Sequence, residues 1–508
     1  MSDPCPSRQL PSLPYCGLTI ILSNPSRFDN DSGRLLSGFA GDVVQRSLRG
    51  CLLPACDIQL LSDENSFLPI TKVVLLLGSP ALSKYWLGDS SLSLHQLRGI
   101  PFESADNSLV FLASYLPQDA IDLKASYEKA NNETYTEDSD GEGSENDGGE
   151  KSTKGRTSRK NFRFFLEQDI TKACRVLQAA RAGIPLFSLR QPAPCYRAYE
   201  DPEKLLSVMM RENNTEITLD IENDRQLNIT VLSLSFNDEP DVWIIPLKRY
   251  NFTYAYSELS VAKLLRAIAW VFSRCTVVVH NGMHDLFVLA HRYHIPPPRR
   301  VYDTMLASSR IYPGVEKSLG HAGSLFTYEP YHKNEGDYNP THNSAEEQLW
   351  QYNAKDVWLT KKVKATQVEV AKKLGATGSV EQINKSVYAY LLMSLTGIRF
   401  SPEPMAEHVA KNDRRMTQLL RVLKVLAGHD LLPTSNKQMV QYFHEEMGLK
   451  VVKRGKPTEK NPIGNPSLDE KALYKLYVTN DFPVIPVCLE YRRLQKESSM
   501  LQFQPWKE

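Results

Sequence analysis

Three apolar segments in close succession constrain the fold of this chain more than any other feature: EITLDIE at 216–222, ITVLSLSF at 229–236 and VWIIPL at 242–247. Each is short, rich in β-branched and aromatic residues and bounded by polar turn formers, so each reads as a strand. SELSVAKLLRAIAWVFSR (257–274) then has helical spacing behind a Ser257 cap, TVVVH (276–280) is a further strand, and GMHDLFVLAHRYH (282–294) a further helix. Three strands followed by helix, strand and helix predict a mixed α/β domain whose reactive edge lies at strand ends.

The rest of the chain organises around that domain. At 508 residues and 42% hydrophobic content it has room for two to four domains with cores of their own. VVLLLG (73–78) and SLVFLASYL (108–116) read as buried strands, and NFRFFLEQDITKACRVLQAARAG (161–183) as a helix stopping at Gly183. Between them, the acidic and Gly/Ser-rich stretch 131–161 is too poor in apolar residues to offset its chain entropy, and is expected to be a disordered insertion. The proline-containing stretch 184–203 is expected to be a linker. Eight cysteines without C-x-x-C spacing suit a reduced, intracellular compartment. No stretch approaches eighteen uninterrupted apolar residues, so no membrane span is expected. A net charge of +1 leaves any nucleic-acid binding to local patches.

Within the mixed domain, Asp220 and Glu222 are two apart on a strand and so project from one face. Neighbouring carboxylates repel unless a proton or cation compensates them, or unless one simply faces water past the strand end. Asp285 stands on the first turn of the helix after TVVVH, where the helix dipole favours an anion. In EEQLWQYNAKDVWLTKKVKATQVEVAKKLG (346–375), Tyr352 and Asp356 are four apart and share a helical face. Four acids and one phenol can therefore converge, although Tyr352 also reads as a core residue. Asp303 reads as an N-cap or, alternatively, a metal ligand. His280, His284 and His291 read as packing or surface residues, because no carboxylate or Cys lies at zinc-ligand spacing. Trp350 and Trp358 read as core.

LDIE (219–222), HNGMHD (280–285) with Leu289 following, YDTM (302–305) and YNAKD (352–356) resemble, in this order, the exonuclease motifs of the proofreading domain of family A DNA polymerases. That domain has a ribonuclease-H-like fold of the DEDD superfamily, and the Tyr of the last motif points to its tyrosine subclass. The resemblance implies a metal-dependent 3′–5′ exonuclease acting on DNA 3′ ends. It implies two divalent ions, Mg²⁺ or Mn²⁺, held by Asp220, Glu222, Asp285 and Asp356, with Asp220 bridging and Asp285 acting largely through water. Two such ions roughly 3.5–4 Å apart activate water and stabilise a leaving oxygen, and hard oxygen ligands suit them. Tyr352 would orient the attacking water, and Asn281 would fix the loop or the terminal nucleotide. Asn223 stands where the family has Thr or Ser, and would contact substrate.

The flanking regions carry two further resemblances. LLMSLTGIRFSPEPM (391–405) and the stretch from Thr434 to Leu501 resemble the start of a family A polymerase body and its thumb, and imply phosphate contacts from Lys437, Lys450, Lys453, Arg454, Lys456 and Lys460. A solvated basic face is the alternative. No palm or fingers motif follows, so this chain by itself is not expected to polymerise DNA. The first region is similar to a family-four-type uracil-DNA glycosylase, as in some phage polymerases. LSNPS (22–26) replaces that family's G-E-A-P-G, Leu116-Pro117 replaces its H-P, and its iron–sulfur cysteines are missing. A degenerate glycosylase fold kept for binding or architecture is expected. The resulting division is a glycosylase-like α/β/α domain at 15–185, a mixed-sheet exonuclease domain at 186–378 and a mainly helical thumb-like region at 379–508. Partners would be single-stranded 3′ ends or primer-template DNA and a separate polymerase subunit, in the cytoplasm, the host's if phage-encoded. A non-catalytic DNA- or polymerase-binding module and a ribonuclease of the same superfamily remain as alternatives.

Overall fold

The computed structural model describes residues 17–53, 58–62, 71–119, 162–198, 202–249, 253–336, 343–399, 401–455 and 463–502. The acidic insertion, Lys456 and Lys460 lie outside the described residues. The chain forms two compact units, Met1–Thr396 and Gly397–Glu508. It has the expected mixed α/β class, with two mixed sheets in the first unit and helices dominating the second.

The first sheet consists of β1 (Leu18–Leu22), β2 (Ile58–Ser62), β3 (Val73–Leu77), β4 (Phe102–Glu103) and β5 (Val110–Ser114), in the order β2-β1-β3-β5-β4. β2, β1, β3 and β5 run parallel, and only β4 is antiparallel. β1, β3 and β5 are buried along their whole length, which is why they read as unbroken apolar runs. Helices α1 (Gly38–Gly50) and α2 (Phe162–Arg181) cover one face, where Val44, Leu48, Leu166 and Ile170 share a core with Leu18, Ile20, Leu75 and Leu77. Ile21, Val74, Leu76 and Phe111 form the opposite face with Ala81 and Leu82.

The second sheet consists of β6 (Cys195–Ala198), β7 (Glu216–Asn223), β8 (Ile229–Phe236), β9 (Asp241–Pro246), β10 (Thr276–Val279) and β11 (Val301–Asp303), in the order β11-β10-β7-β8-β9-β6. β7, β8 and β9 are antiparallel, while β10 and β11 add parallel to β7. Helix α3 (Glu258–Arg274) starts at Ser257, whose side chain accepts from the Ser260 amide, and α4 (Met283–His291) follows β10 directly. α5 (Thr304–Ile311), α6 (Leu319–Phe326), the long α7 (Asn343–Lys373) and α8 (Thr377–Thr396) complete this part. Ile217, Leu219 and Ile221 point into a core with α3, α4 and the α8 residues Val387 and Leu391. The other face packs Val231, Val242 and Ile244 against Leu349, Ala354, Val357 and Trp358 of α7.

One expectation is corrected here. The stretch 184–203 holds a short helix, Leu186–Leu189, and the edge strand β6, which pairs parallel with β9. CYRA lacks an apolar alternation of its own, and its strand form comes from the hydrogen bonds β9 offers at the sheet edge.

A buried polar cluster joins the first-sheet region to α6. Arg98 donates to Asp169 through Nη2 (2.6 Å) and Nε (3.0 Å), and to the Ser324 hydroxyl through Nη1 (3.1 Å). Ser114 donates to the same Asp169 carboxylate at 2.7 Å, and the Phe165 ring lies 4.2 Å from the guanidinium. Lys172 donates to the carbonyls of Ser324 and Thr327. With each guanidinium nitrogen and both Asp169 oxygens hydrogen-bonded, two buried opposite charges are tolerated in the interior.

In the second unit, α9 (Pro402–Ala427), α10 (Glu470–Asn480) and α11 (Val484–Gln502) enclose Leu423, Tyr442, Phe443, Leu473, Leu476, Ile485 and Cys488. Among the described residues, no helix is long and apolar enough to cross a membrane.

Candidate active site

The β7 alternation places Asp220 and Glu222 on the α7 side of the sheet, opposite the apolar side chains that fill the core. Their partners across β8 are Ser233 and Val231, and the register shifts between Glu222 and Asn223. The strand therefore bends away immediately after the two acids. α7 brings Asp356 to the same place: one carboxylate oxygen each from Asp220, Glu222 and Asp356 lie within 4.8 Å of one another. Asn353, one turn before Asp356, donates Nδ2 to Asp220 Oδ2 at 2.7 Å.

Asp285 is buried on the first turn of α4. It is not one of the three clustered carboxylates, but the charges of two of them, Glu222 and Asp356, reach it. Burial first, then Glu222, Asp303 and Asp356, push its pKa up to about 8. Burial and the Asp356 charge push Glu222 up to about 7. Asp220 is raised well above the ordinary carboxylate value by burial and by Asp285, Asp356 and Glu222. Asp356 goes the other way: burial opposes its ionisation, but His332 and Lys333 outweigh it and hold the pKa low. His332 Nε2 lies 2.7 Å from Oδ1, and Lys333 donates to Oδ2 at 2.6 Å.

Lys333 also donates to the Tyr352 hydroxyl, so it links the phenol to Asp356 across one turn of α7. Burial and the Asp356 charge push the Tyr352 phenol up to about 12. It stays protonated at neutral pH, a donor rather than a base.

α4 is aimed into this region by the turn before it. Asn281 adopts a left-handed conformation (φ +55°), and a Cβ on Gly282 would come within 2.4 Å of Val279. Asp303 secures that turn and caps α5: it accepts the amides of Asn281, Gly282, Met305 and Leu306 at 2.8–3.2 Å. Of its two readings, the structure makes it the cap.

The Asn281 side chain is exposed. Asn223 donates to the Asp224 carbonyl at 2.9 Å, and its Oδ1 meets His284 Nε2 at 2.9 Å. Asp224, which a strand running out into solvent would leave facing water, instead organises the β7–β8 turn. It accepts the Gln226 and Asn228 amides and the Asn228 side chain, and pairs with Lys248 at 3.8 Å. The three suggestive histidines disperse: His280 Nδ1 meets Thr304 Oγ1 at 2.9 Å, His284 meets Asn223, and His291 stacks on Phe287. Trp358 is core, whereas Trp350 is half-buried.

Sequence reasoning missed His332, Lys333 and the role of Asn353. Asn353 sits inside the YNAKD motif and could have been singled out as facing the sheet. His332 and Lys333 precede Asp356 by more than twenty residues, in a segment with no periodic signal.

In the second unit Lys437 and Lys450 are exposed. Lys453 is paired with Asp469, and Arg454 donates to the Gly464 carbonyl at 3.1 Å. Phosphate contacts by either would compete with these internal partners.

No family model matches this chain, and no curated protein matches it. Among solved structures, one described as the POL domain of Pol1 from M. smegmatis in complex with DNA primer-template and dNTP is similar, at TM-score 0.43 and 14% identity. The match covers 60% of this chain and 49% of that one. The functional reading therefore rests on the chemistry of the site itself.

Proposed function

We propose that this protein is a metal-dependent 3′–5′ exonuclease acting on DNA ends, the proofreading part of a family A polymerase system. The observation that carries the reading is the meeting of Asp220, Glu222 and Asp356 from a strand and a distant helix, with the buried Asp285 as a fourth acid whose charge couples to theirs. Burial and mutual repulsion raise the pKa of three of the four, so the fold holds acids together at a cost that bound cations would relieve. The all-oxygen donor set fits hard divalent ions, Mg²⁺ or Mn²⁺. Asp220, Glu222 and Asp356 would hold one ion, with Asp220 shared and Asp285 serving a second. When bound, the two ions acidify a coordinated water and stabilise the leaving 3′ oxygen.

The chain's own residues position the rest. Asn353 holds Asp220 in orientation and His332 holds Asp356. Tyr352, protonated and anchored by Lys333, directs the attacking water through its hydroxyl. Asn281 and Asn223, at the end of the α4 turn and of β7, would contact the terminal nucleotide. The ribonuclease-H-like identity of the second sheet, the glycosylase-like identity of the first, the domain division at 185/186 and 378/379, and DNA-backbone contacts by Lys437, Lys453, Arg454 and Lys456 belong to the same proposal.

One observation favours a second reading, a non-catalytic binding module. His332 and Lys333 already engage both oxygens of Asp356, as a permanent counter-cation would. A single experiment separates the two: digestion of 3′-labelled single-stranded DNA and RNA with Mg²⁺ or chelator, by wild type and Asp220→Ala/Glu222→Ala. Metal-dependent release of single nucleotides from DNA, lost in the double variant, is expected. No release from either nucleic acid would establish the binding module, preferential RNA cleavage would establish a ribonuclease, and activity surviving in the variant would refute the site.

A further inference from the structure

Far from the four acids, a second group of metal-type donors comes together from three separate segments. His95 lies on the short helix Leu94–Leu97 between β3 and β4, Glu316 follows α5, and His321 is on α6. One donor atom of each lies within 4.8 Å of the others. Glu316 is the hinge: Oε2 is 3.0 Å from His95 Nε2, and Oε1 is 3.3 Å from His321 Nδ1. We propose that His95, Glu316 and His321 form a zinc site that fastens the first-sheet region to the segment between β11 and α7.

Two imidazoles and a carboxylate are a common zinc donor set, and imidazole nitrogens select against Mg²⁺. Zinc–nitrogen and zinc–oxygen bonds of about 2.0–2.1 Å in a tetrahedron put neighbouring donors about 3.3 Å apart. The His95–Glu316 and His321–Glu316 separations, 3.0 Å to Oε2 and 3.3 Å to Oε1, are close to that length, so a small turn of the carboxylate would bring one oxygen within reach of an ion held by both rings. Supporting contacts are also in place. The other ring nitrogen of His95, Nδ1, hydrogen-bonds the Tyr115 hydroxyl, which leaves Nε2 as the nitrogen facing Glu316. Ser318 Oγ donates to Glu316 Oε1 at 3.0 Å. The His321 ring is buried, lying 4.3 Å from His95 and 5.5 Å from Phe165 between centroids, so its orientation is held by packing. Its Nδ1 edge faces Glu316, and its Nε2 has no hydrogen-bond partner among the described residues.

Arg98, three residues after His95, is paired with Asp169 rather than with Glu316. The Glu316 side chain is 37% exposed and that of His95 29%, so an ion has a way in and a fourth, solvent ligand has room. A site joining residues more than 220 positions apart in sequence reinforces the connection that Arg98, Asp169 and Ser324 already make.

The test uses the full chain, stripped with chelator and titrated calorimetrically with Zn²⁺ in excess Mg²⁺, beside His95→Gln, His321→Gln and Asp220→Ala/Glu222→Ala. Wild type and the Asp220/Glu222 variant are expected to bind one zinc each, and each histidine variant to bind at least about tenfold more weakly. With Co²⁺ in place of zinc, the intense visible bands of a four-coordinate site should appear in wild type and vanish in His95→Gln. His95 is partly exposed, and an unchanged circular dichroism spectrum establishes that its variant is folded. Zinc affinity unaltered in both histidine variants, or no zinc bound by wild type, would overturn the site and leave a hydrogen-bonded triad. Neither outcome bears on nuclease activity, which the separate digestion measures.

Discussion

Replacing Glu222 with Gln tests the electrostatics of the acid cluster directly. The folded protein holds the Glu222 pKa at about 7 against 4.5 in an unfolded chain, because burial and Asp356 oppose its charge. At about 1.4 kcal/mol per pH unit, that rise corresponds to about 3 kcal/mol. Between pH 4.5 and 7 the folded state keeps a proton that the unfolded state releases, so stability falls as pH rises through this window, and the full cost applies above about 7. Asp285, raised to about 8, adds a loss of the same sign. Asp356 is shifted downward, so its stabilising contribution is already complete above its unfolded value near 3.8 and does not change across the window. Gln keeps the neutral form at every pH. In chelator, Glu222→Gln should match wild type at about pH 5 and be more stable by up to about 3 kcal/mol at about pH 8. Saturating Mg²⁺ should shrink or reverse that gain. Urea unfolding followed by tryptophan fluorescence at the two pH values, with and without Mg²⁺, measures all four quantities; Trp243 and Trp358 report from this part of the fold. An equal difference at the two pH values, or a less stable variant at the higher pH in chelator, would refute the reasoning.

Substitutions at two further sites probe the supports. Asp169→Asn leaves the buried Arg98 guanidinium without its anion and should cost about 3–5 kcal/mol by thermal or urea unfolding, whereas Arg98→Leu/Asp169→Leu should recover much of the loss. Asp303→Ala removes the acceptor for four amides at once and should cost about 2 kcal/mol or more, with Asp303→Asn costing less; protection of the Asn281 and Gly282 amides from hydrogen exchange should fall with it.

Much of the scaffold was legible because its signals are local. β7, β8, β9 and β10 follow apolar runs bounded by turn formers, α3 starts at its Ser257 cap, and α7 covers the length its periodicity marks. Edge strand β6 was not legible, because its strand character resides in β9 rather than in CYRA. The same division holds at the site. The alternation of β7 puts Asp220 and Glu222 on one side, and helical spacing puts Tyr352 and Asp356 on another.

The sequence by itself therefore determined which side chains could act together along each strand or helix, since backbone periodicity is a property of neighbouring residues. Only the tertiary structure decided which faces meet. It brought Lys333 and His332 onto Asp356, and gathered His95, Glu316 and His321 while dispersing the three histidines that lie close in sequence. Contacts between residues twenty to more than two hundred positions apart depend on how sheets and helices pack, and no local pattern in the chain encodes that packing.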